Sequence, residues 1–137
     1  THYFTCKFGV EAGIAPWKVE KGQRAAEAQH IGLEKAWKAG IPVTIGTDAG
    51  TPYNPHWGTF MEFVLFVEDM GFDPMETLVA GTIRSAKVCG VDDWTGSITP
   101  GKHADFIVLG ENPVTNIRTL GHVEQVYRHQ NCGSGRY

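Results

Sequence analysis

The order of elements around residue 45 constrains the fold of this chain more than any other feature. A segment rich in Ala, Glu, Lys and Gln runs from Trp17 to Ala39, and these residue types favour helix. The β-branched run Ile41–Ile45 follows between two glycines and predicts a short strand. A loop rich in Gly, Pro, Asn and Asp is predicted at 46–58, and a helix over 59–70, where apolar residues recur at helical spacing. Helix, strand, polar loop and helix together form one step of an α/β fold.

The second half of the chain predicts one more helix and a small β unit. Asp73, followed by Pro74 and then Glu76, is a typical helix start, and the helix should end at Gly90. Three short β-like runs come after it, at Ser97–Ile98, Phe106–Leu109 and Val123–Tyr127. We therefore expect 92–129 to be mostly β. At the ends of the chain, the pattern predicts a strand end and an irregular loop over 1–15 and a poorly ordered tail over 131–137.

Size, charge and cysteine content narrow the possible functions. The 137 residues correspond to one domain, and a net charge of −3 without a basic run argues against nucleic acid as a partner. The longest apolar run, Phe63–Val67, is far too short to span a membrane. The cysteines, at 6, 89 and 132, are widely spaced and predict free thiols of a reducing compartment, which indicates a cytoplasmic protein. No secretory signal opens the chain, but the first residue is not Met, so a signal peptide ahead of it stays open.

Asp48 is the strongest candidate for chemistry. It follows the predicted strand directly, and α/β barrels place catalytic side chains at the C-terminal ends of their strands. A carboxylate there can bind a metal ion or take a proton from a metal-bound water. The alternative is a turn residue, because an Asp before Ala49 and Gly50 commonly caps its own turn. From spacing alone the turn is favoured, since a single Asp is a weak motif.

Three segments, in order along the chain, resemble the amidohydrolase superfamily. The segment AGIPVTIGTDAG at 39–50 resembles the last barrel strand, whose GTD holds the catalytic aspartate. The segment DPMETLVA at 73–80 is similar to the helix that leaves the barrel, and GSITPGKHADFIVL at 96–109 to the return into a small β-sandwich domain. The resemblance implies an α/β fold, with residues 1–90 as the C-terminal portion of a (β/α)8 TIM barrel, from the end of strand 7 to the exit helices, and 91–137 as part of the sandwich.

A metal-dependent hydrolase of amide, peptide or cyclic-amide C–N bonds is the function that the resemblance implies. Family members hold one or two divalent ions, usually zinc. Asp48 is the counterpart of the aspartate that binds metal and shuttles the proton from the activated water to the leaving nitrogen. The other ligands come from earlier strands, and no His-x-His occurs here. A full barrel needs about 250 residues. We therefore expect that this chain is a fragment and that it is inactive alone. The full-length enzyme could form a homo-oligomer.

His56 is the candidate for substrate binding. It lies in the loop sequence YNPHWG, where the imidazolonepropionase-like and Xaa-Pro dipeptidase-like branch often has PHG. Trp57 interrupts that pattern, so a loop histidine that holds a backbone carbonyl is an equal alternative. The implied substrate is a small amide or dipeptide-like molecule. Two other functions stay open: an amidohydrolase-type deaminase, which would use the same aspartate, and a non-catalytic α/β module that binds a ligand or partner, in which Asp48 is only a turn.

Overall fold

The computed structural model describes residues 3–50 and 54–129, which form a helix-rich unit with a two-stranded sheet. Its helices are α1 (Tyr3–Phe8), α2 (Pro16–Lys38), α3 (Phe60–Val64), α4 (Pro74–Val79) and α5 (Ser85–Cys89). Its strands are β1 (Phe106–Leu109) and β2 (Val123–Tyr127). Short turns of 3₁₀ helix lie at His56–Thr59 and Ile117–Gly121, and π-helical turns lie at Leu65–Asp69 and Ala80–Arg84. Within the described residues, no helix is long and apolar enough to cross a membrane.

The helix boundaries confirm the local signals in the sequence. Pro16 opens α2, where its missing N–H has no helical partner to lose. The Asp73 side chain accepts a hydrogen bond from the backbone N–H of Glu76 at 2.9 Å and so caps α4. The helical run ends at Gly90, whose φ of 68° lies in the left-handed region that glycine adopts most readily. The predicted helices over 17–39, 59–70 and 74–90 are therefore confirmed, the last two with a π-helical turn inside them.

An aromatic cluster packs the segment after α2 against the helices. Val43, Phe66 and Phe72 are buried together. Trp37 stacks on Phe72 with ring centroids 4.3 Å apart, and Phe66 meets Phe72 edge-on at 5.2 Å. Such ring pairs add about 0.5–1.5 kcal/mol each beyond the area they bury. The cluster therefore fixes the course of the chain just before Asp48.

The segment Ile41–Ile45 is not a strand in the structure, so this prediction is wrong for the chain as described. A strand needs a neighbour with which to exchange backbone hydrogen bonds, and none lies beside this segment within 3–50 and 54–129. Its carbonyls face helix side chains instead. Arg84 Nη1 lies 3.4 Å from Val43 O, and Ser85 Oγ lies 3.4 Å from Ile45 O.

The region 92–129 is β only in part, so the expectation that it is mostly β is also wrong. β1 and β2 form an antiparallel pair in which Phe106 lies opposite Tyr127. The run Ser97–Ile98 forms no strand, and Ile98 is 92% exposed. A short apolar run becomes a strand only where a partner strand covers it, and the described chain brings none to this one.

The two ends of the chain give different outcomes. α1 occupies Tyr3–Phe8, where the sequence predicted a strand end, and that prediction is wrong. The predicted loop after it is present as turns over 9–13. The tail 131–137 lies outside the described residues. The division at residue 90 into a barrel portion and a sandwich portion stays a prediction.

Gly96, in the loop after α5, packs closely against the preceding helical run. Its φ is 86°, and a Cβ there would lie 2.7 Å from the Cβ of Ala86 and 3.0 Å from the Cα of Ile83. Gly101 has a similar φ of 93°, but no atom lies within 4 Å of its Cβ position. Both positions require a left-handed backbone, and only Gly96 also requires the absence of a side chain.

We expect Gly96→Ala to lower the free energy of unfolding more than Gly101→Ala. Both variants place a Cβ on a left-handed backbone, which costs roughly 1–2 kcal/mol. Only the first also forces a methyl group into packed atoms, which adds about 1–3 kcal/mol. Urea denaturation of the two variants beside the parent measures the difference. Equal losses would show that the loop at Gly96 moves away without cost.

Candidate active-site loop

Asp48 and His56 lie in one loop, between the core-anchored segment 41–45 and α3. The described part of this loop comprises residues 46–50 and 54–59. Both candidate side chains belong to exposed residues, and His56 begins the 3₁₀ turn that leads into α3. The predicted loop over 46–58 is confirmed at 46–50 and 54–55, whereas 51–53 lie outside the described residues and 56–58 form the 3₁₀ turn. Both candidates face solvent.

The backbone of Asp48 adopts an unusual conformation. Its φ is 50°, and within the described residues it is the sole non-glycine with positive φ. A left-handed backbone crowds the Cβ of an L-residue, and Asp and Asn tolerate it better than other side chains. Such residues cluster at active sites, where the surrounding structure holds them in place. The conformation therefore marks Asp48 as a special position.

Hydrogen bonds from both sides hold this turn. The side-chain amide of Asn54, which is 8% exposed, donates to Thr47 O at 2.7 Å and to Asp48 O at 2.9 Å. The Gly50 N–H donates to Asn54 O at 2.9 Å. The Ala49 N–H donates to Thr47 Oγ1 at 3.2 Å. The side-chain cap of the turn thus comes from Thr47, and these bonds use only the backbone of Asp48.

His56 packs against the same turn. Its Nε2 lies 3.2 Å from the place where a Cβ on Gly50 would lie, and its Cε1 lies 3.5 Å from it. Gly50 has a φ of 101°, so the absence of a side chain there serves both the backbone and the ring above it. The imidazole therefore lies over the residue that is two positions after Asp48. The His56 carbonyl accepts a hydrogen bond from Thr59 Oγ1 at 2.8 Å, which fixes the start of the 3₁₀ turn.

A divalent metal of the kind that the resemblance implies takes three or four protein ligands when it is zinc. The exposed Asp48 carboxylate has the right chemistry for one of them. Across residues 3–50 and 54–129, no group of three or more His, Cys, Asp or Glu side chains is placed to hold a metal ion. Within the described part of the chain, Asp48 could therefore serve as one ligand of such an ion, without two further ligands placed beside it.

A cavity of about 400 Å³ lies among α1, α2, α3 and the π-helical turn after α3, and Thr44 and Gly46, just before Asp48, also line it. Its polar lining includes Cys6, Lys7, His30, Glu62 and Asp69. Burial raises the pKa of the Cys6 thiol, which disfavours the reactive thiolate. His30 is half-buried in this lining, as expected of a histidine packed on a helix.

The residue that sequence reasoning missed is Asn54. A lone Asn among Gly and Pro residues is typical of a turn, and nothing in its spacing from Asp48 predicts a bond across six residues. Only the structure reveals its role: the Asn54 residue is buried, and a buried side-chain amide is nearly always hydrogen-bonded.

Comparison with known proteins shows to which family this chain belongs. Residues 8–129 match the sequence model of the Amidohydrolase family. An imidazolonepropionase from Syntrophobacter fumaroxidans is 31% identical over 128 residues, which cover 88% of this chain and 29% of that protein. An ochratoxinase from Aspergillus niger is 32% identical over 109 residues, covering 79% and 22%. A guanine deaminase from Escherichia coli strain K12 is 37% identical over 81 residues, covering 56% and 18%.

Solved structures of similar proteins point to the same family. A Bifidobacterium longum protein described as a candidate prolidase superposes with a TM-score of 0.83 and 32% identity, covering 99% of this chain and 34% of that one. A Xaa-Pro dipeptidase with bound methionine gives a TM-score of 0.78 and 27% identity, covering 93% and 30%. The chain thus spans about a third or less of the length of these proteins. The relatives include an imidazolonepropionase and a Xaa-Pro dipeptidase, the two kinds of enzyme in the branch that the sequence resemblance named, and the chain belongs to the Amidohydrolase family.

Proposed function

We propose that this chain forms the C-terminal part of a metal-dependent hydrolase that cleaves the C–N bond of a small amide or dipeptide-like substrate, with Asp48 as its catalytic carboxylate. The observation that carries the proposal is the Asp48 turn. Asp48 has a left-handed backbone and is exposed, and it follows a segment that the core anchors. It lies within residues 8–129, which match a family whose members act on C–N bonds. The imidazolonepropionase, the Xaa-Pro dipeptidase and the ochratoxinase among its relatives support this substrate class.

The proposed architecture places Asp48 at the end of a barrel strand. In a complete enzyme, segment 41–45 would be the eighth strand of a (β/α)8 barrel, and 91–137 would form part of a small β-sandwich. Two features support this. The segment has a helix on each side in sequence, α2 and α3, and apolar residues of the β1–β2 pair are exposed, among them Val126 at 72%. Catalytic side chains in barrels occupy the C-terminal ends of strands.

In the proposed mechanism, Asp48 moves the proton. Its carboxylate accepts a proton from the attacking water and delivers it to the substrate nitrogen, so that the nitrogen leaves as a neutral amine. The metal, when bound, lowers the pKa of water to about 7 and polarises the carbonyl. The described part of the turn favours this role, because its side-chain cap is the Thr47 hydroxyl, at 3.2 Å from the Ala49 N–H, and the Asp48 residue is exposed.

For His56 we propose contact with the substrate. Its residue is exposed, and its ring lies over Gly50, on the turn that carries Asp48. An imidazole can donate or accept one hydrogen bond at each ring nitrogen, which suits recognition of a polar group beside the bond that is cleaved. Binding of this kind acts on substrate affinity more than on the proton transfer.

A deaminase is the second candidate. The match to the guanine deaminase, at 37% identity over 81 residues, favours it. The same aspartate would then pass its proton to a departing ammonia. Ammonia release from aminated heterocycles, measured beside amine release from N-acyl amino acids and dipeptides, separates the two reactions.

Asp48→Asn in the complete enzyme should lower kcat by at least ~10²-fold, the usual scale for losing a general acid–base group. The melting temperature should stay close to that of the parent, because Asn also tolerates a left-handed backbone. Steady-state kinetics and thermal unfolding of this one variant measure both. Near-normal kcat would favour the alternative in which Asp48 is only a turn residue and the chain a binding module.

His56→Ala should raise KM by up to about 10-fold, the scale of one lost hydrogen bond of about 0.5–1.5 kcal/mol, and change kcat less. His122→Ala removes another exposed histidine, just before β2, and serves as the matched control. Initial rates over a range of substrate concentrations give both constants. An unchanged KM in the first variant would remove His56 from the substrate site.

The 137-residue chain expressed alone should retain no stoichiometric zinc, because one carboxylate supplies a single ligand where zinc takes three or four. Elemental analysis after dialysis against metal-free buffer measures the zinc content. Asp48→Asn in the same chain is the control and should give the same value. If the parent chain instead retained one zinc ion and Asp48→Asn lost it, the proposal that most of the metal ligands lie outside this chain would be wrong.

A further inference from the structure

We infer that Asn54 is a positioning residue for Asp48: its buried amide holds the left-handed turn and so sets the direction of the carboxylate. The inference rests on the proposed function, since it presupposes that Asp48 takes part in the reaction. It goes beyond the identity of the catalytic group because it names the side chain that determines where that group points.

Both N–H groups of the Asn54 amide serve the turn. Its Nδ2 lies 2.7 Å from Thr47 O and 2.9 Å from Asp48 O. An amide nitrogen has two hydrogens to donate, and each finds one of two consecutive carbonyls. In a strand, successive carbonyls point to opposite sides. They meet one amide here, where the backbone of Asp48 is left-handed with a φ of 50°.

The same residue also closes the loop through its backbone. The Gly50 N–H donates to Asn54 O at 2.9 Å, so Asn54 contacts three of the residues from 47 to 50. A sparsely populated backbone conformation persists only where its surroundings over-determine it. The Thr47 hydroxyl accepts a hydrogen bond from the N–H of Ala49, the residue after Asp48. The carbonyl of Asp48 itself is held by Asn54.

Loss of this amide should release the turn and redirect the carboxylate. Without the Nδ2 donor, the carbonyls of Thr47 and Asp48 lose their partner in a half-buried position, and they regain hydrogen bonds by turning toward water. The backbone of Asp48 can then relax to negative φ, which is the favoured region for an L-residue. Because Cβ rotates with φ, the carboxylate would leave the position that the reaction needs.

The first test is Asn54→Ala in the complete enzyme. We expect kcat to fall by roughly 10²-fold, the scale of a misplacement of about 1 Å, with little change in KM. The control is Thr77→Val, which removes another buried polar group: the Thr77 hydroxyl is fully buried and donates to Asp73 O at 2.8 Å, outside this loop. A normal kcat for Asn54→Ala, or an equal loss of kcat in the control, would overturn the inference.

The second test separates positioning from general stability. If Asn54 acts through Asp48, the double variant Asp48→Asn/Asn54→Ala should be no slower than Asp48→Asn alone, because groups that act as a unit give non-additive losses. Losses that multiply would overturn the inference. Near-normal kcat in Asp48→Asn would overturn the proposed function and this inference together, whereas a slow Asp48→Asn with a normal Asn54→Ala would overturn the inference alone.

If Asn54→Ala does not fold, Asn54→Asp replaces it. This variant keeps the shape of the side chain and exchanges the donating nitrogen for an oxygen, which has no hydrogen to give when ionised. We expect the same loss of kcat at neutral pH, because the ionised carboxylate cannot donate to the carbonyls of Thr47 and Asp48. A folded Asn54→Asp variant with normal kcat at neutral pH would overturn the inference.

Discussion

The stacking of Trp37 on Phe72, with Phe66 against the edge of the second ring, is the interaction on which the candidate site depends. Segment 41–48 has no described sheet neighbour, so burial of Val43 against these rings anchors it in the way that a hydrogen-bond ladder anchors a barrel strand. Burial of apolar area contributes about 25 cal/mol per Å² and has no preferred direction. The cluster therefore sets the place of the segment, and the hydrogen bonds of the loop set the orientation of its last residues.

Sequence reasoning succeeded where structure depends on residues within one turn of each other. The Asp73 cap, the opening of α2 at Pro16 and the left-handed stop at Gly90 each involve neighbours a few positions apart. Helical periodicity is equally local. The family resemblance was also readable, because its motifs are short runs of residues, and Asp48 belongs to one of them. The loop that carries Asp48 and His56 was predicted for the same reason.

Sequence reasoning failed where structure depends on partners distant in the chain. Whether Ile41–Ile45 or Ser97–Ile98 becomes a strand is decided by a neighbouring strand, and β propensity alone does not supply one. α1 is the same case, since its residues were read as a strand end. The role of Asn54 was not predicted, because its amide binds the carbonyl of Thr47, seven residues earlier in the chain. Turn composition predicts that a chain bends and does not say which carbonyls a side chain will meet.

The left-handed backbone at position 48 restricts which amino acids this loop can accept, independently of any reaction. Gly, Asn and Asp are the residues that occupy such a backbone at low cost. Aspartate alone among them is ionised at neutral pH. A library that randomises this codon and selects first for folding should therefore be enriched in these three amino acids, and a second selection for turnover should keep aspartate. Glutamate carries the same charge but costs roughly 1–2 kcal/mol more on this backbone, so it should be depleted at the first step, and a longer carboxylate would fit better with a different turn.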